Sequence, residues 1–227
     1  MINAARANNI PELERLVATG TDINSKDDEG MTALMWAAQE GNVEVAQYLV
    51  GAGADLAAID NDGATALMLA EKNSHAEVVQ YLVGEGADIE TKDSDGTAAL
   101  MFAAQNGDVD MAKYLVGAGA AVRAARPDGM TALMFAALRG RVDVAKYLVG
   151  EGADIAAVNN KGTTALMYAR KNNHEKVVQY LEAAAAGKAR KPAVGAQASA
   201  AFFSAGSVTQ DEKYKHNSKK ESTCVCS

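Results

Sequence analysis

Apolar residues along positions 1–186 fall in short stripes about two helical turns long, each closed by glycine or a polar pair. The stretch from Asp27 to Ile59 shows the pattern clearly. Asp27-Asp28-Glu29-Gly30 is a polar turn, where glycine tolerates the positive φ that such turns often need. Thr32 offers a side-chain oxygen to the free N–H groups of a starting helix, and the apolar segment behind it predicts a helix from about Ala33 to Glu40. Gly41-Asn42 interrupts it. Val45, Ala46, Leu49 and Val50 then share one face at i, i+4 spacing, predicting a second helix from about Val43 to Val50 that stops before Gly53. Neither helix is long enough to persist alone in water. Each must bury its stripe against its partner and against an adjacent copy.

Adjacent copies exist. The turn glycine returns at Gly30, Gly63, Gly96, Gly129 and Gly162, every 33 residues, and a fixed interval of this size marks stacked copies of one small unit. Thr-Ala-Leu-Met recurs at Thr32–Met35, Thr65–Met68, Thr131–Met134 and Thr164–Met167, with Ala98-Ala99-Leu100-Met101 as a variant. Helix-ending glycines recur at Gly20, Gly53, Gly86, Gly119 and Gly152, and three of them open Gly-Ala-Asp exits, at Gly53, Gly86 and Gly152. Ala4 to Leu13 aligns with Ala37 to Ala46, so the first 26 residues form a copy without its turn.

Period, signature and exit together resemble the ankyrin repeat family, whose pattern is a turn, Thr-Pro-Leu-His, two antiparallel helices and Gly-Ala-Asp. The resemblance covers residues 1 to about 186 and implies an all-α solenoid of stacked helix-turn-helix units with turn fingers. The units would be 1–26 (an N-terminal cap), 27–59, 60–92, 93–125, 126–158 and 159–186 (a C-terminal cap), followed by a disordered tail over 187–227. Two departures stand out. Ala replaces Pro and Met replaces His in every copy of the signature, which should remove the hydrogen bonds the family's histidine makes and leave a flexible apolar filler. Glu71 and Arg170 replace the small Ala38, Ala104 and Ala137, and read as solvated helix ends.

Charge refines the picture. Lys and Arg against Asp and Glu number 5 against 16 over residues 1–92, 10 against 10 over 93–186, and 7 against 3 over 187–227. An acidic first half argues against nucleic acid as a partner of the repeats. No apolar run approaches the roughly 20 residues that cross a bilayer, and the start shows no secretory signal. No cysteine precedes Cys224, so disulfides do not hold the folded part, and an intracellular protein is expected.

Catalysis is not expected. His75, His174 and His216 lack a second His or Cys at metal-ligand spacing, and the glycines sit singly rather than in a phosphate loop. The resemblance gives His75 and His174 a structural place between helices. No catalytic residue, metal, cofactor or small-molecule substrate is expected.

Binding is the stronger reading. Turn tips and first helices line the concave side of such a stack, and in the ankyrin family that surface usually holds a protein partner. The positions that vary between copies there are Asp28, Glu29, Met31, Gln39 and Glu40; Asn61, Asp62, Ala64, Lys72 and Asn73; Ser94, Asp95, Thr97, Gln105 and Asn106; Pro127, Asp128, Met130, Leu138 and Arg139; and Asn160, Lys161, Thr163, Lys171 and Asn172. Trp36, Phe102, Phe135 and Tyr168 lie on the same helices and serve either packing or partner contact. Tyr48, Tyr81, Tyr114, Tyr147 and Tyr180 recur too regularly to carry specificity.

The last residues suggest an anchor. Cys224-Val225-Cys226-Ser227 resembles a prenylation signal, with Cys224 as the modified thiol and Cys226 atypical at its position. One lipid chain binds only marginally, and Lys213, Lys215, Lys219 and Lys220 would add attraction to the anionic cytoplasmic leaflet. The alternative is an unmodified tail on a cytoplasmic scaffold or inhibitor.

Overall fold

The computed structural model describes residues 1–187. Among them are twelve α-helices and no strand, only an isolated bridge between Ala125 and Thr131. The helices come in pairs. α1 (Ile2–Arg6) and α2 (Ile10–Ala18) lead, followed by α3 (Ala33–Glu40) with α4 (Val43–Gly51), and α5 (Ala66–Lys72) with α6 (Ala76–Gly84). Then come α7 (Ala99–Asn106) with α8 (Val109–Gly117), α9 (Ala132–Leu138) with α10 (Val142–Gly150), and α11 (Ala165–Lys171) with α12 (Glu175–Ala185). First helices pack on first helices and second on second, so the core is one row of small side chains rather than a central ball. Leu49, Leu82, Leu115 and Leu148 stand at one register and are fully enclosed.

Caps explain where these helices start and stop. Thr32, Thr65, Thr131 and Thr164 accept the N–H of Met35, Met68, Met134 and Met167 at 3.2–3.4 Å. Ala98 begins α7 without any such bond. At the second-helix ends, the N–H of Ala54 reaches Leu49 O at 2.9 Å while Gly53, at φ 93°, turns the chain out. Thr32 and Thr65 are themselves buried, so the Ala98 site has the shape for a threonine. Ala98→Thr should therefore stabilise the protein by about 1 kcal/mol, read as a higher urea midpoint with unchanged slope.

Met35 corrects one expectation. Its sulfur accepts the Thr32 N–H at 3.4 Å, so this copy of the signature keeps a hydrogen bond that loss of histidine was expected to remove.

Neighbouring pairs are tied at two edges. At the fingers, the N–H groups of Asn61, Ser94 and Asn160 donate to Glu29 O, Asp62 O and Asp128 O at 2.8–3.0 Å. Pro127 holds the equivalent place in the fourth finger and has no N–H, so Asp95 O lacks that donor. At the opposite edge, the residue opening a second helix reaches back to the preceding pair at four of the five junctions. Asn42 Nδ2 donates to Ala5 O (3.3 Å), His75 Nε2 to Gln39 O (2.9 Å), Arg141 Nε to Gln105 O (3.1 Å) and His174 Nε2 to Leu138 O (3.1 Å). The structural place expected for His75 and His174 is this tie. Their rings lie so close over Gly41 and Gly140 that a Cβ there would meet Nδ1 at 2.5 and 2.6 Å.

The stack ends unevenly. Met35, Met68, Met101 and Met134 are buried, but Met167 at the same register is 51% exposed, with Arg170 Nη2 paired to Glu182 Oε1 at 2.6 Å beside it. Arg170 is thus the solvated residue expected. Glu71 is not: it is 2% exposed, on a helix against which α3, α6 and α7 all pack.

Candidate protein-binding surface

Four of the five fingers are built on the carboxyl or amide that starts them. Asp27, Asp60, Asp93 and Asn159 each accept through Oδ1 from the backbone N–H groups two and four residues on, at 2.7–3.0 Å. These bonds consume the first residue and turn the next two outward. Asp28, Glu29, Asn61, Asp62, Ser94, Asp95, Pro127, Asp128, Asn160 and Lys161 are accordingly exposed. On the first helices, Glu40, Lys72, Asn73, Arg139, Lys171 and Asn172 are exposed, while Gln39, Gln105, Asn106 and Leu138 are half-buried.

Four candidate positions do not belong to this surface. Met31 (3% exposed) and Met130 (7%) turn inward and join the core, and so does Phe135 (8%). Thr97 is buried as well. The position after the turn glycine varies between copies, yet here its side chain fills space beneath the finger.

The remaining aromatics are half-buried, and Trp36 and Tyr168 are hydrogen-bonded. Trp36 Nε1 donates to Asp27 Oδ2 at 2.7 Å, and the Arg6 guanidinium stands 4.2 Å over the indole centroid. Burial works to raise the Asp27 carboxyl, but the Trp36 bond, the Met31 and Glu29 N–H groups and Arg6 together hold it below its ordinary pKa. Asn159 Nδ2 donates to Tyr168 Oη at 2.7 Å, and Phe102 is half-buried. The repeated tyrosines are framework, as expected. Tyr114 and Tyr180 donate to Gln80 O and Lys146 O of the preceding pair, and burial pushes the hydroxyls of Tyr81, Tyr114, Tyr147 and Tyr180 up.

Arg126 is a surface residue that the repeat pattern did not single out, though it breaks the run Asp27, Asp60, Asp93, Asn159. Lacking an acceptor, it leaves Asp128 Oδ1 to take the Met130 N–H at 3.0 Å. Its guanidinium lies across the gap between the third and fourth fingers, 3.7 Å from Asp95 Oδ2, 3.5 Å from Asp128 Oδ1 and 5.8 Å over Phe135. Nε is buried and makes no hydrogen bond, because the Asp128 contact lacks the geometry for one.

Among the described residues no group of three or more His, Cys, Asp or Glu is placed to hold a metal ion, and no helix is long and apolar enough to cross a membrane. A shallow hollow of about 530 Å³ lies between α10 and α12, away from the fingers, where Lys146 is already paired with Asp143 at 3.3 Å. Cys224, Lys213, Lys215, Lys219 and Lys220 lie outside the described residues.

Stacked helix pairs with backbone-linked fingers and an outward row of non-repeating side chains define a repeat protein of the interaction class. The family profile for ankyrin repeats in three copies matches residues 1–93 and 100–190, and the chain belongs to the ankyrin repeat family. An ankyrin repeat domain from Acinetobacter baumannii is 28% identical with TM-score 0.73, over 81% of this chain and 96% of that one. A chain from a complex of a predatory endopeptidase of Bdellovibrio bacteriovorus with an immunity protein is 30% identical with TM-score 0.73, over 80% and 95%. No curated protein matches. The repeat region is a protein–protein interaction domain.

Proposed function

We propose that the chain is a non-enzymatic adaptor, gripping one protein on its fingers and first helices and held at the cytoplasmic face of a membrane by a prenyl group on Cys224. The observation that carries the adaptor part is the division of labour within each copy. Residues that repeat are mostly buried or bonded to backbone, whereas those that differ from copy to copy stand mostly in solvent on a fixed frame. The unit-by-unit boundaries of the domain, 1–26 through 159–186, belong to this reading.

Proximity labelling followed by pull-down with the full chain tests it. The double variant Asp62→Lys with Arg139→Glu should lose about tenfold or more of the recovered partner while its thermal melting stays put, since both side chains are exposed and change little in folding. Equal recovery by both proteins would remove the fingers from the interface.

The tether rests on Cys224 to Ser227 and the four lysines, each worth about 1 kcal/mol at an anionic surface. Intact mass from a prenylating cell should show a farnesyl adduct and loss of three residues; an unmodified mass leaves a free adaptor. A scaffold or inhibitor with an unmodified tail is the second reading, favoured by the likeness to a chain from an endopeptidase–immunity protein complex.

A further inference from the structure

One junction in the stack is built unlike the rest. Where Asn42, His75, Arg141 and His174 reach back to the preceding pair, the third-to-fourth junction has Asp108. A carboxylate has no proton to donate to a carbonyl. Asp108 instead caps its own helix, taking the N–H groups of Asp110 and Met111 at 3.1 and 2.9 Å. Facing it across the same junction is Glu71, enclosed at a site that Ala38, Ala104 and Ala137 fill in other copies.

Among the described residues no hydrogen bond reaches the Glu71 carboxyl. Burial first, and then the charge of Asp108, push its pKa from 4.5 to about 8. The polar and charged groups on α5 and the elements around it include these. α3 brings Gln39 and Glu40 at its end, α6 opens with His75 and carries Glu77, α7 ends in Gln105 and Asn106, α8 carries Asp108 and Asp110, and Lys72 follows on α5 itself. Of their charges, Asp108's is the one that bears on Glu71.

We propose that the third-to-fourth junction is a pH-sensitive joint, closed while Glu71 carries its proton and opened along its helix-end edge when that proton passes to water. Ionisation leaves a carboxylate enclosed from water beside a second negative charge, and admitting water between α5 and α7 relieves both. The other ties remain as pivots: Ser94 N–H to Asp62 O at 2.8 Å on the fingers, and Tyr114 Oη to Gln80 O at 3.2 Å on the second helices. Asn106 Nδ2, bound to Glu71 O at 2.9 Å and Ser74 Oγ at 3.2 Å, is the clasp that opening must release. Three helix pairs lie on each side, about the number a repeat stack needs to hold its core, so either half keeps its fold as the joint moves. Lys72, Asn73, Gln105 and Asn106 flank the joint, so its opening would reshape the middle of the surface proposed above for the partner, although the joint itself does not depend on that proposal.

Hydrogen exchange of the full chain at pH 6 and pH 9, corrected for intrinsic exchange, tests the joint. Protection at the end of α5 and in α7 should fall by about tenfold or more, with about a hundredfold as the ceiling, while α3 and α9 hold theirs. Glu71→Gln should abolish the change, and Asp108→Asn, which removes the charge and supplies a donor, should shrink it. A loss shared evenly by all pairs, or one that survives in Glu71→Gln, overturns the proposal. Should Glu71→Gln fail to fold, an unchanged response in Asp108→Asn overturns it instead.

Discussion

Glu71→Ala is expected to raise the melting temperature of the protein, by an amount that grows with pH. The carboxyl holds its proton more tightly folded, at about 8, than unfolded, near 4.5. Between those values the folded state carries a proton that the unfolded state has released, so stability falls as pH rises through the interval and levels off above it. At about 1.4 kcal/mol per pH unit, the wild-type penalty reaches roughly 3 kcal/mol at pH 7 and roughly 5 at pH 9, both as ceilings. Alanine removes it without opening a void, because Ala38, Ala104 and Ala137 sit enclosed at the same site. For a chain of this length, that corresponds to at most about 6–12 °C at pH 7. Thermal denaturation followed by circular dichroism from pH 5 to 9 checks it. A variant whose melting temperature still falls in parallel with the wild type would show that Glu71 is not the group responsible.

Gly129→Ala acts in the opposite direction. Gly129 stands at φ 82°, where any Cβ is strained, and the added atom would lie 2.7 Å from Asn159 Cα and 3.1 Å from Asn160 N. Backbone cannot swing aside as a flexible side chain can. The fifth finger must therefore move, breaking the 2.9 Å bond from Asn160 N–H to Asp128 O. Strain of about 1–2 kcal/mol and the lost bond of about 1 kcal/mol add to an expected destabilisation of about 2–3 kcal/mol. Gly162→Ala is the control: its φ is 68°, but nothing lies within 4 Å of the added Cβ. Urea denaturation of both variants separates strain from collision. Equal losses would mean that the fingers do not lean on one another.

Much of this architecture was legible in the chain. Period, threonine caps and glycine exits are local, and the helix predicted from Ala33 to Glu40 is the one found. Local signals fail where a neighbouring copy decides the outcome. Glu71 precedes Lys72 and Asn73 and so reads as a wet helix end, yet it is enclosed on a helix against which α3, α6 and α7 all pack. Met31 and Met130 vary in sequence with Ala64, Thr97 and Thr163, which suggested solvent, but long side chains there fold under the finger. Arg126 was visible as a break in the finger-opening run, and only its distances to Asp95 and Asp128 show that it spans a gap.

The bare Met167 has a consequence for how such a chain lengthens. α11 still carries the interior sequence Thr164-Ala165-Leu166-Met167, so its outer side already matches what an added copy would bury. Splicing one more 33-residue block beyond it would call for changes at Arg170 and Glu182 but none in that tetrapeptide.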